Sequence, residues 1–386
     1  MRPGTSPAKK HRLPILRRKP QRVLMTADAV GGVWNYAVEL AGALAAAGVE
    51  VAVASMGPRP NRFQRAQLMA VPRTHLFESD FKLEWMEHPW ADLEEAGQWL
   101  LEIEEGFQPD IIHCNGYYHA AMPWTAPVVV VAHSCLLSWW NAIHGGAAPA
   151  EWDLYRRVVR RGIRAADAVI APSRAMLNEV GQWYAKPRFG TVIPNGRDAR
   201  LFRVASKQPF VLGVGRVWDE AKNISILDAA AGDLEWPVYV AGADSHPRGK
   251  SIELHHTKML GEVPSAELSA WLAAAPICAL PARYEPFGLC ALEAALSGCA
   301  LVLGDIPSLR ENWNEVAMFV APSEPRALGR ALGELIASRT MREELARRAY
   351  HRAREFDSRT MGAAYLEVYG NVMAGPPAQE ELAFAS

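Results

Sequence analysis

Short apolar stretches alternate along the chain with longer amphipathic runs of helical length. Several of the stretches are rich in Val and Ile and apolar at successive positions, as strands covered on both faces are. The run at 33–48 has helical periodicity and ends at Gly48, a favourable helix stop. The alternation predicts a parallel sheet with helices on both faces. The predicted strands of the first half are 22–28, 49–55, 109–115, 126–133, 167–173 and 190–196.

A second series of the same kind begins after a polar join at 197–208. We therefore predict an α/β protein of two doubly wound, Rossmann-like lobes facing a central cleft. The second series of predicted strands is 209–216, 237–243, 258–263, 276–281, 299–305 and 317–322. The expected domains are a disordered basic tail at 1–20, a first lobe at 21–200, a second lobe at 206–357, a C-terminal helix at 358–374 that crosses back to the first lobe, and a tail at 375–386.

Composition narrows the class of protein. The 386 residues suit two domains, and a formal net charge of −1 gives no field that would favour a nucleic-acid partner. Residues 1–22 hold eight Lys or Arg and no acid, which fits a disordered tail or an anchor to anionic membrane. No signal-peptide pattern or spanning apolar run is found. The five cysteines show no paired spacing, which favours a reducing cytoplasm.

Ligands of open parallel sheets bind beyond the carboxyl ends of the strands, so residues that follow strands are the first candidates. Gly31 and Gly32 lead from the first strand into a helix and would let backbone amides approach an anion. An ordinary glycine turn is the alternative. His133 ends another predicted strand, and is either a ligand contact or a core or capping residue.

Two cations follow the first strand of the second lobe. Arg216 and Lys222, on a short loop ahead of a helix, suit a diphosphate ligand. The alternative is a solvated loop in which Asp219 and Glu220 serve as counterions.

Two carboxylates follow a later strand of the same lobe, in the segment RYEPFGLCALEAALSGC (283–299). Glu293 is the only charged side chain between residues 286 and 304, and an ionised carboxylate is costly to bury without partners. Glu285 precedes a Pro-Phe-Gly turn whose free amides start a helix, a favourable anion site. Glu285 could instead be a charge favouring the helix dipole, and Glu293 could form a salt bridge to a neighbouring lobe element.

The spacing Glu285-x7-Glu293 and its surroundings resemble the retaining glycosyltransferases of family 4, which have the two-lobed GT-B fold. The resemblance spans roughly residues 21–374 and includes GGVW, AHS, APSRAML, VIPNGRD and GRVWDEAKN in that order. One departure concerns the two cations. Arg216 and Lys222 are six positions apart, whereas five is commoner in the family.

The resemblance implies a nucleotide diphosphate sugar as donor, bound mainly to the second lobe. Catalytic roles would fall to Glu285 at the sugar hydroxyls, His133 at the sugar, and Arg216 and Lys222 at the diphosphate. The other donor contacts would be Glu293 at the ribose, the amides of Phe287, Gly288 and Leu289, the approach of Gly31 and Gly32, the strand end at Gly215, and Val263 near the base.

The resemblance also implies that no metal or other cofactor takes part. The sequence has no Asp-x-Asp, the usual metal–diphosphate clamp of the other large glycosyltransferase fold, and two cations with helix N-termini can replace a metal. Retention is expected from family membership, by departure and attack on one face of the sugar without a covalent nucleophile.

The acceptor is expected on the first lobe, as a saccharide, a lipid-linked molecule or a small molecule. Trp34, Trp139 and Trp140 follow strand ends and are either acceptor platforms or core residues. The helix predicted at 151–166 carries an arginine stripe, which is either a solvated face or a surface for anionic lipid or a phosphorylated acceptor. A cytoplasmic protein, with possible peripheral binding to the inner face of the membrane, is thus expected. The arginines are Arg156, Arg157, Arg160, Arg161 and Arg164.

Two other classes of function remain open at this point. A sugar-nucleotide epimerase or hydrolase on the same fold would give product from donor alone. A non-catalytic sugar-nucleotide binding protein would bind donor without turnover.

Overall fold

A computed structural model describes residues 18–244 and 252–375 of the chain. The expected terminal tails, at 1–20 and 375–386, lie almost wholly outside the described residues. The described part contains two parallel sheets, and every strand expected from the sequence overlaps an observed one. The α/β fold with two doubly wound lobes is therefore confirmed.

The first sheet has seven parallel strands in the order β3-β2-β1-β4-β5-β6-β7. The strand at 74–78 was not expected from the sequence, because it lies at the sheet edge and its side chains are mostly half-buried rather than continuously apolar. The bounds are β1 Arg22–Asp28, β2 Glu50–Met56, β3 Thr74–Glu78, β4 Ile111–Cys114, β5 Val128–Val131, β6 Ala168–Ala171 and β7 Gly190–Val192.

The second sheet has six parallel strands in the order β10-β9-β8-β11-β12-β13. In both sheets the strand order reverses beside the lobe's first strand, at β1/β4 and at β8/β11, and such switch points open a crevice for ligands. The bounds are β8 Val211–Val214, β9 Val238–Ala241, β10 Lys258–Gly261, β11 Ile277–Leu280, β12 Ala300–Gly304 and β13 Met318–Val320.

Thirteen α-helices within the described residues connect and cover these strands. Those of the first lobe are α1 Gly32–Ala46, α2 Arg62–Met69, α3 Trp90–Phe107, α4 Leu136–His144, α5 Asp153–Ala165 and α6 Arg174–Trp183. The remaining helices are α7 Ile224–Ala231, α8 Ser265–Ala274, α9 Leu289–Leu296, α10 Pro307–Trp313, α11 Pro325–Ala337, α12 Arg339–Ala353 and α13 Ser358–Met373. Over residues 18–244 and 252–375, every helix falls short of the length or apolarity needed to cross a bilayer.

The last helix completes the core of the first lobe. Helix α13 packs against α1, and its Tyr365 and Tyr369 are fully buried among the first-lobe strands β1, β2, β4 and β5. The chain thus passes between the lobes twice. The two crossing segments, one at Arg197 and one at Asp357, are called the passages. They run side by side and are joined by a β-bridge between these two residues.

The two lobes are in direct contact beside the second switch point. The hydroxyl of Tyr284, from the second lobe, accepts from the amide of Cys135 at 3.1 Å and lies 2.8 Å from the hydroxyl of Ser138 on α4. The hydroxyl of Ser173 donates to the carbonyl of Pro286 at 2.7 Å. The segment that carries Glu285 is therefore held against the first lobe on both sides.

Candidate functional site

Lys222 and Glu285 meet in the crevice where the order of the second sheet reverses. Lys222 follows β8, and Glu285 follows β11. The ammonium nitrogen of Lys222 lies 2.5 Å from Oε2 of Glu285, and both residues line a cavity of about 40 Å³. Burial alone would lower the pKa of Lys222, but the attraction of Glu285 prevails and the pKa is raised. Lys222 stands six positions after Arg216 rather than the commoner five, and its ammonium group is nevertheless a cation held at the ends of the strands.

Arg216 lies on the same loop and faces the first lobe. Its Nη2 donates to Oδ2 of Asp219 at 2.6 Å, so the loop does supply one counterion, as the alternative interpretation expected. Its Nε is buried and has no hydrogen-bond partner among the described residues. A Cβ atom on Gly31 would lie 3.1 Å from Nη1 of Arg216, which shows how closely the glycine loop approaches the guanidinium. An unpaired guanidinium donor in such a crevice suits a phosphate oxygen.

The start of α9 completes the wall of the crevice. Gly288 has φ of +89°, which favours glycine, and its amide donates to Oε1 of Glu285 at 3.1 Å. The expected helix-start role of Glu285 is thus present as well. Leu289 approaches the first lobe, since a Cβ on Gly32 would lie 3.4 Å from its Cδ1. Phe287 is 2 % exposed and packs in the second-lobe core, so its backbone is the part that could meet a ligand.

Glu293 lies one turn into α9 and is only 6 % exposed. Its Oε1 lies 3.1 Å from Nε of Arg197, in the passage between the lobes. Burial raises the pKa of Glu293, and the guanidinium opposes that rise. The salt bridge considered as an alternative for Glu293 therefore exists. The sequence pattern does not identify this partner, although Arg197 stands at the start of the polar join.

His133 belongs to a buried polar network of the first lobe. Its Nε2 lies 2.8 Å from Oδ1 of Asn115, and Nε2 of His113 lies 3.0 Å from the same oxygen. The Asn115 side-chain nitrogen donates to the carbonyl of Thr26 at 2.7 Å, so Oδ1 is the acceptor and both imidazoles donate from Nε2. Nδ1 of His113 then accepts from the hydroxyl of Tyr369 at 2.6 Å.

The network fixes the protonation of His133. Burial, with a smaller contribution from His113, lowers the pKa of His133 to about 3, so the imidazole is neutral near pH 7. With its Nε2 proton donated to Asn115, the ring can only accept at Nδ1. His133 is therefore an oriented neutral group after β5, a property that the sequence does not reveal.

Two acidic side chains that the sequence pattern does not single out line a second cavity, of about 60 Å³, in the first lobe. Asp28 ends β1, and burial raises its pKa to about 6 even though Arg216 opposes the rise. Burial likewise raises the pKa of Glu84 to about 7, while the amides of residues 117–118 donate to it. Asn115 lines the same cavity and connects it to His133. The position of Asp28 at a strand end was the available signal.

The three tryptophans proposed as acceptor platforms differ in exposure. Trp34 is 1 % exposed and packs in the first-lobe core on α1, so it offers no face to a ligand and that expectation is corrected. Trp139 and Trp140 are half-buried on α4, with ring centroids 6.5 Å apart. The ring of His144 lies 4.3 Å from that of Trp140. An aromatic cluster therefore exists on the helix that contacts Tyr284.

Gly215 and Val263 lie at strand ends of the second lobe. A Cβ on Gly215 would lie 3.1 Å from the stem of Lys222. Because glycine has no side chain, the lysine stem has room to cross the end of β8. Val263 is half-buried two residues after β10, two strands away from β8.

The two-lobed topology, with a cation and a carboxylate paired at the switch point of the second lobe, fits the GT-B class of glycosyltransferases. The chain belongs to glycosyltransferase family 4. It matches the description "Glycosyltransferase Family 4" over residues 30–201 and "Glycosyl transferases group 1" over residues 208–338. The family resemblance expected from the sequence is therefore confirmed.

Known proteins similar to this chain are sugar-transferring enzymes. It is 27 % identical to the glycogen synthase of Mycobacterium tuberculosis over 382 residues, covering 88 % of this chain and 91 % of that protein. It is 25 % identical to the phosphatidyl-myo-inositol mannosyltransferase of Mycobacterium leprae, covering 89 % and 94 %. These relatives support the general assignment of this chain as a sugar-transferring enzyme.

Solved structures share the fold. Sucrose-phosphate synthase from Thermosynechococcus elongatus superposes with a TM-score of 0.78 at 20 % identity, covering 92 % of this chain and all of that one. The Anabaena protein HepE, solved with UDP-glucose, gives a TM-score of 0.70 at 18 % identity, covering 91 % and 99 %.

Proposed function

We propose that this protein is a retaining hexosyltransferase that moves a sugar from a nucleotide diphosphate sugar, UDP- or GDP-linked, to a hydroxyl of a saccharide, lipid-linked or small-molecule acceptor. The observation that carries the proposal is the convergence of Arg216, Lys222 and the start of α9 beside Glu285. Cations and helix amides at one crevice suit a diphosphate that acquires charge as it leaves.

The donor would lie across the switch point of the second lobe. Arg216 and Lys222 would contact the diphosphate, with the amides at the start of α9. Glu285 would accept hydrogen bonds from hydroxyls of the transferred sugar once Lys222 also contacts the phosphate. Glu293 would accept hydrogen bonds from the ribose hydroxyls. The base would lie toward Val263. The presence of UDP-glucose in the solved HepE structure supports a nucleotide sugar as the donor class.

The transfer itself would occur on one face of the sugar. The bond from the anomeric carbon to the diphosphate oxygen breaks, the acceptor oxygen bonds to the same face, and the acceptor proton passes to the departing phosphate oxygen. Arg216 and Lys222 would stabilise the negative charge that develops there. Neutral His133 would accept a hydrogen bond from the sugar at Nδ1 rather than present a charge.

A donor panel tests the proposal. UDP-, GDP- and ADP-glucose and -mannose are compared by thermal shift, and the best donor is then used in an acceptor screen. We expect a shift with one base and a glycosylated product that depends on acceptor. Release of nucleotide and free or epimerised sugar from donor alone, unchanged by any acceptor, would favour the epimerase or hydrolase. Binding without turnover would favour a binding protein.

We expect turnover to be independent of divalent metal, because two side-chain cations and helix amides surround the diphosphate position. Activity should be unchanged after treatment with EDTA and desalting. Loss of activity that added Mg²⁺ or Mn²⁺ restores would contradict this part of the proposal. The nucleotide-binding shift measured in the same samples serves as the control for folding.

We also propose that this enzyme is cytoplasmic and binds anionic membrane peripherally through α5. The basic stripe lies on the surface, with Leu154 39 % exposed beside it. The exposed members of the stripe are Arg157, Arg160, Arg161 and Arg164.

Flotation with phosphatidylglycerol vesicles, compared with phosphatidylcholine vesicles, tests the membrane proposal. Each basic residue near an anionic surface contributes about 1 kcal/mol, so replacing Arg157 and Arg160 together with Gln should reduce binding roughly 10- to 30-fold. Replacing Arg339 and Arg347, which are exposed on α12, with Gln is the matched control. Equal flotation of the variant and wild type would reject α5 as the binding face.

A further inference from the structure

Arg197 connects two buried carboxylates that belong to different lobes. Its Nη1 donates to Oε1 of Glu39 on α1 at 2.9 Å, and its Nε lies 3.1 Å from Oε1 of Glu293 on α9, an ion pair without hydrogen-bond geometry. The side chains are 12 %, 8 % and 8 % exposed, so the three charges are largely withdrawn from water. A buried carboxylate at this depth requires a cationic partner, and the planar guanidinium serves both at once.

The backbone holds Arg197 in this position. The amide of Arg197 donates to the carbonyl of Phe356 at 3.0 Å, where the two passages between the lobes run side by side. The guanidinium carbon lies 5.3 Å from the centre of the Phe202 ring, which covers one face of the group. The side chain therefore has little freedom, and the carboxylate that it pairs with is oriented accordingly.

We propose that Arg197 is a positioning residue for nucleotide recognition: through Oε1 it orients Glu293 so that the carboxylate can accept hydrogen bonds from the ribose hydroxyls, and through Glu39 it ties that orientation to the first lobe. This inference rests on the proposed function, in which Glu293 meets the ribose. A carboxylate accepts several hydrogen bonds, so pairing at Oε1 leaves Oε2 for the ligand.

Glu39, Arg197 and Glu293, here called the triad, also link the second lobe to the first. Glu39 lies on α1, the helix that begins at the Gly31–Gly32 loop facing Arg216 and Leu289. The ribose and diphosphate positions of the second lobe are thus each in contact with the same first-lobe helix or the loop before it. Burial raises the pKa of both Glu39 and Glu293, and the positive charge of Arg197 opposes that rise.

Discrimination between a ribonucleotide and its 2′-deoxy form tests the role of Arg197. Titration calorimetry measures Kd for UDP and 2′-deoxy-UDP, or for the guanine pair if the donor panel selects GDP. An oriented carboxylate should favour the ribonucleotide by about 10-fold or more in the wild type. In Arg197→Met we expect that ratio to fall to roughly 1–3, because Glu293 loses its orientation.

Two further variants keep the test decisive. Arg197→Met could fail to fold because it leaves two buried carboxylates unpaired, whereas Arg197→Met with Glu39→Gln preserves the net charge of the triad and should lose discrimination equally. In a Glu293→Gln background, Arg197→Met should change the ratio no further. Arg200→Met is the matched control, since Arg200 pairs with Asp198 in the same segment and is 89 % exposed.

The outcomes separate the inference from the proposed function. Wild-type discrimination in folded Arg197→Met, or in the charge-matched double variant, would overturn the positioning role even if the melting temperature falls. A wild-type protein that binds no nucleoside diphosphate would overturn the proposed function and the inference with it. A wild type that binds both forms of nucleotide equally would overturn the inference alone.

Discussion

Replacing Lys222 with alanine is expected to lower kcat by about 10²–10³-fold, the loss typical when a preorganised charge is removed from a developing anion. The structure gives the reason. Lys222 is held by Glu285 at 2.5 Å and lines the crevice at the end of β8, so its charge is already in place before the diphosphate departs. The measurement is steady-state turnover with the donor selected by the panel. The affinity for donor should fall much less than kcat.

Arg339→Ala is the control for this experiment. Arg339 forms an exposed pair with Glu343 on α12, so its replacement also removes one cation from an ion pair, but outside both cavities. Such surface pairs contribute little to stability, and turnover should stay at the wild-type level. If Lys222→Ala retained wild-type kcat in a folded protein, the assignment of the diphosphate position would be wrong.

The second large effect concerns the two glutamates, which are expected to differ in the constant that each changes. Glu285→Ala should mainly reduce kcat, by about 10²-fold, since Glu285 lies beside Lys222 where the sugar would react. Glu293→Ala should mainly weaken donor binding, because it removes hydrogen bonds to a charged acceptor worth about 1.5–3 kcal/mol, or roughly 10- to 100-fold in Kd.

Measuring kcat by product formation and Kd by calorimetry for both variants distinguishes the two roles. Glu324→Ala, at the surface ahead of α11, is a suitable control carboxylate because it lies at a helix start outside both cavities. Equal losses of kcat and of affinity in the two glutamate variants would contradict the division of roles. Because Glu293 is buried against Arg197, the melting temperature of Glu293→Ala should be measured alongside.

The sequence could predict the fold because the interior strands are continuously apolar and separated by helix-length runs. The edge strand β3 lacks that signal, since half-buried edge positions tolerate polar residues. The positions of Lys222 and Glu285 could also be anticipated, because both follow strands that neighbour one another in the sheet. Their 2.5 Å contact could not, since it depends on the path of two loops.

Other features of the site depend on contacts between distant segments, which a sequence pattern does not contain. Arg197 meets Glu293 through the crossing of two passages, and His133 owes its lowered pKa to burial beside His113. Trp34 is a residue for which the sequence pattern gives a wrong prediction rather than none. Its place after a strand suggested a ligand face, but the first turn of α1 directs the ring into the core.

The hydrogen bond between Tyr369 and His113 has a consequence for how this enzyme matures. His113 shares Asn115 with His133, so the orientation of His133 depends on a helix that ends at residue 373. During synthesis, the first lobe leaves the ribosome long before this helix does. Part of the first-lobe core therefore stays uncovered until the helix has been made. The first-lobe side of the cleft can therefore take its final form only after the second lobe has been translated.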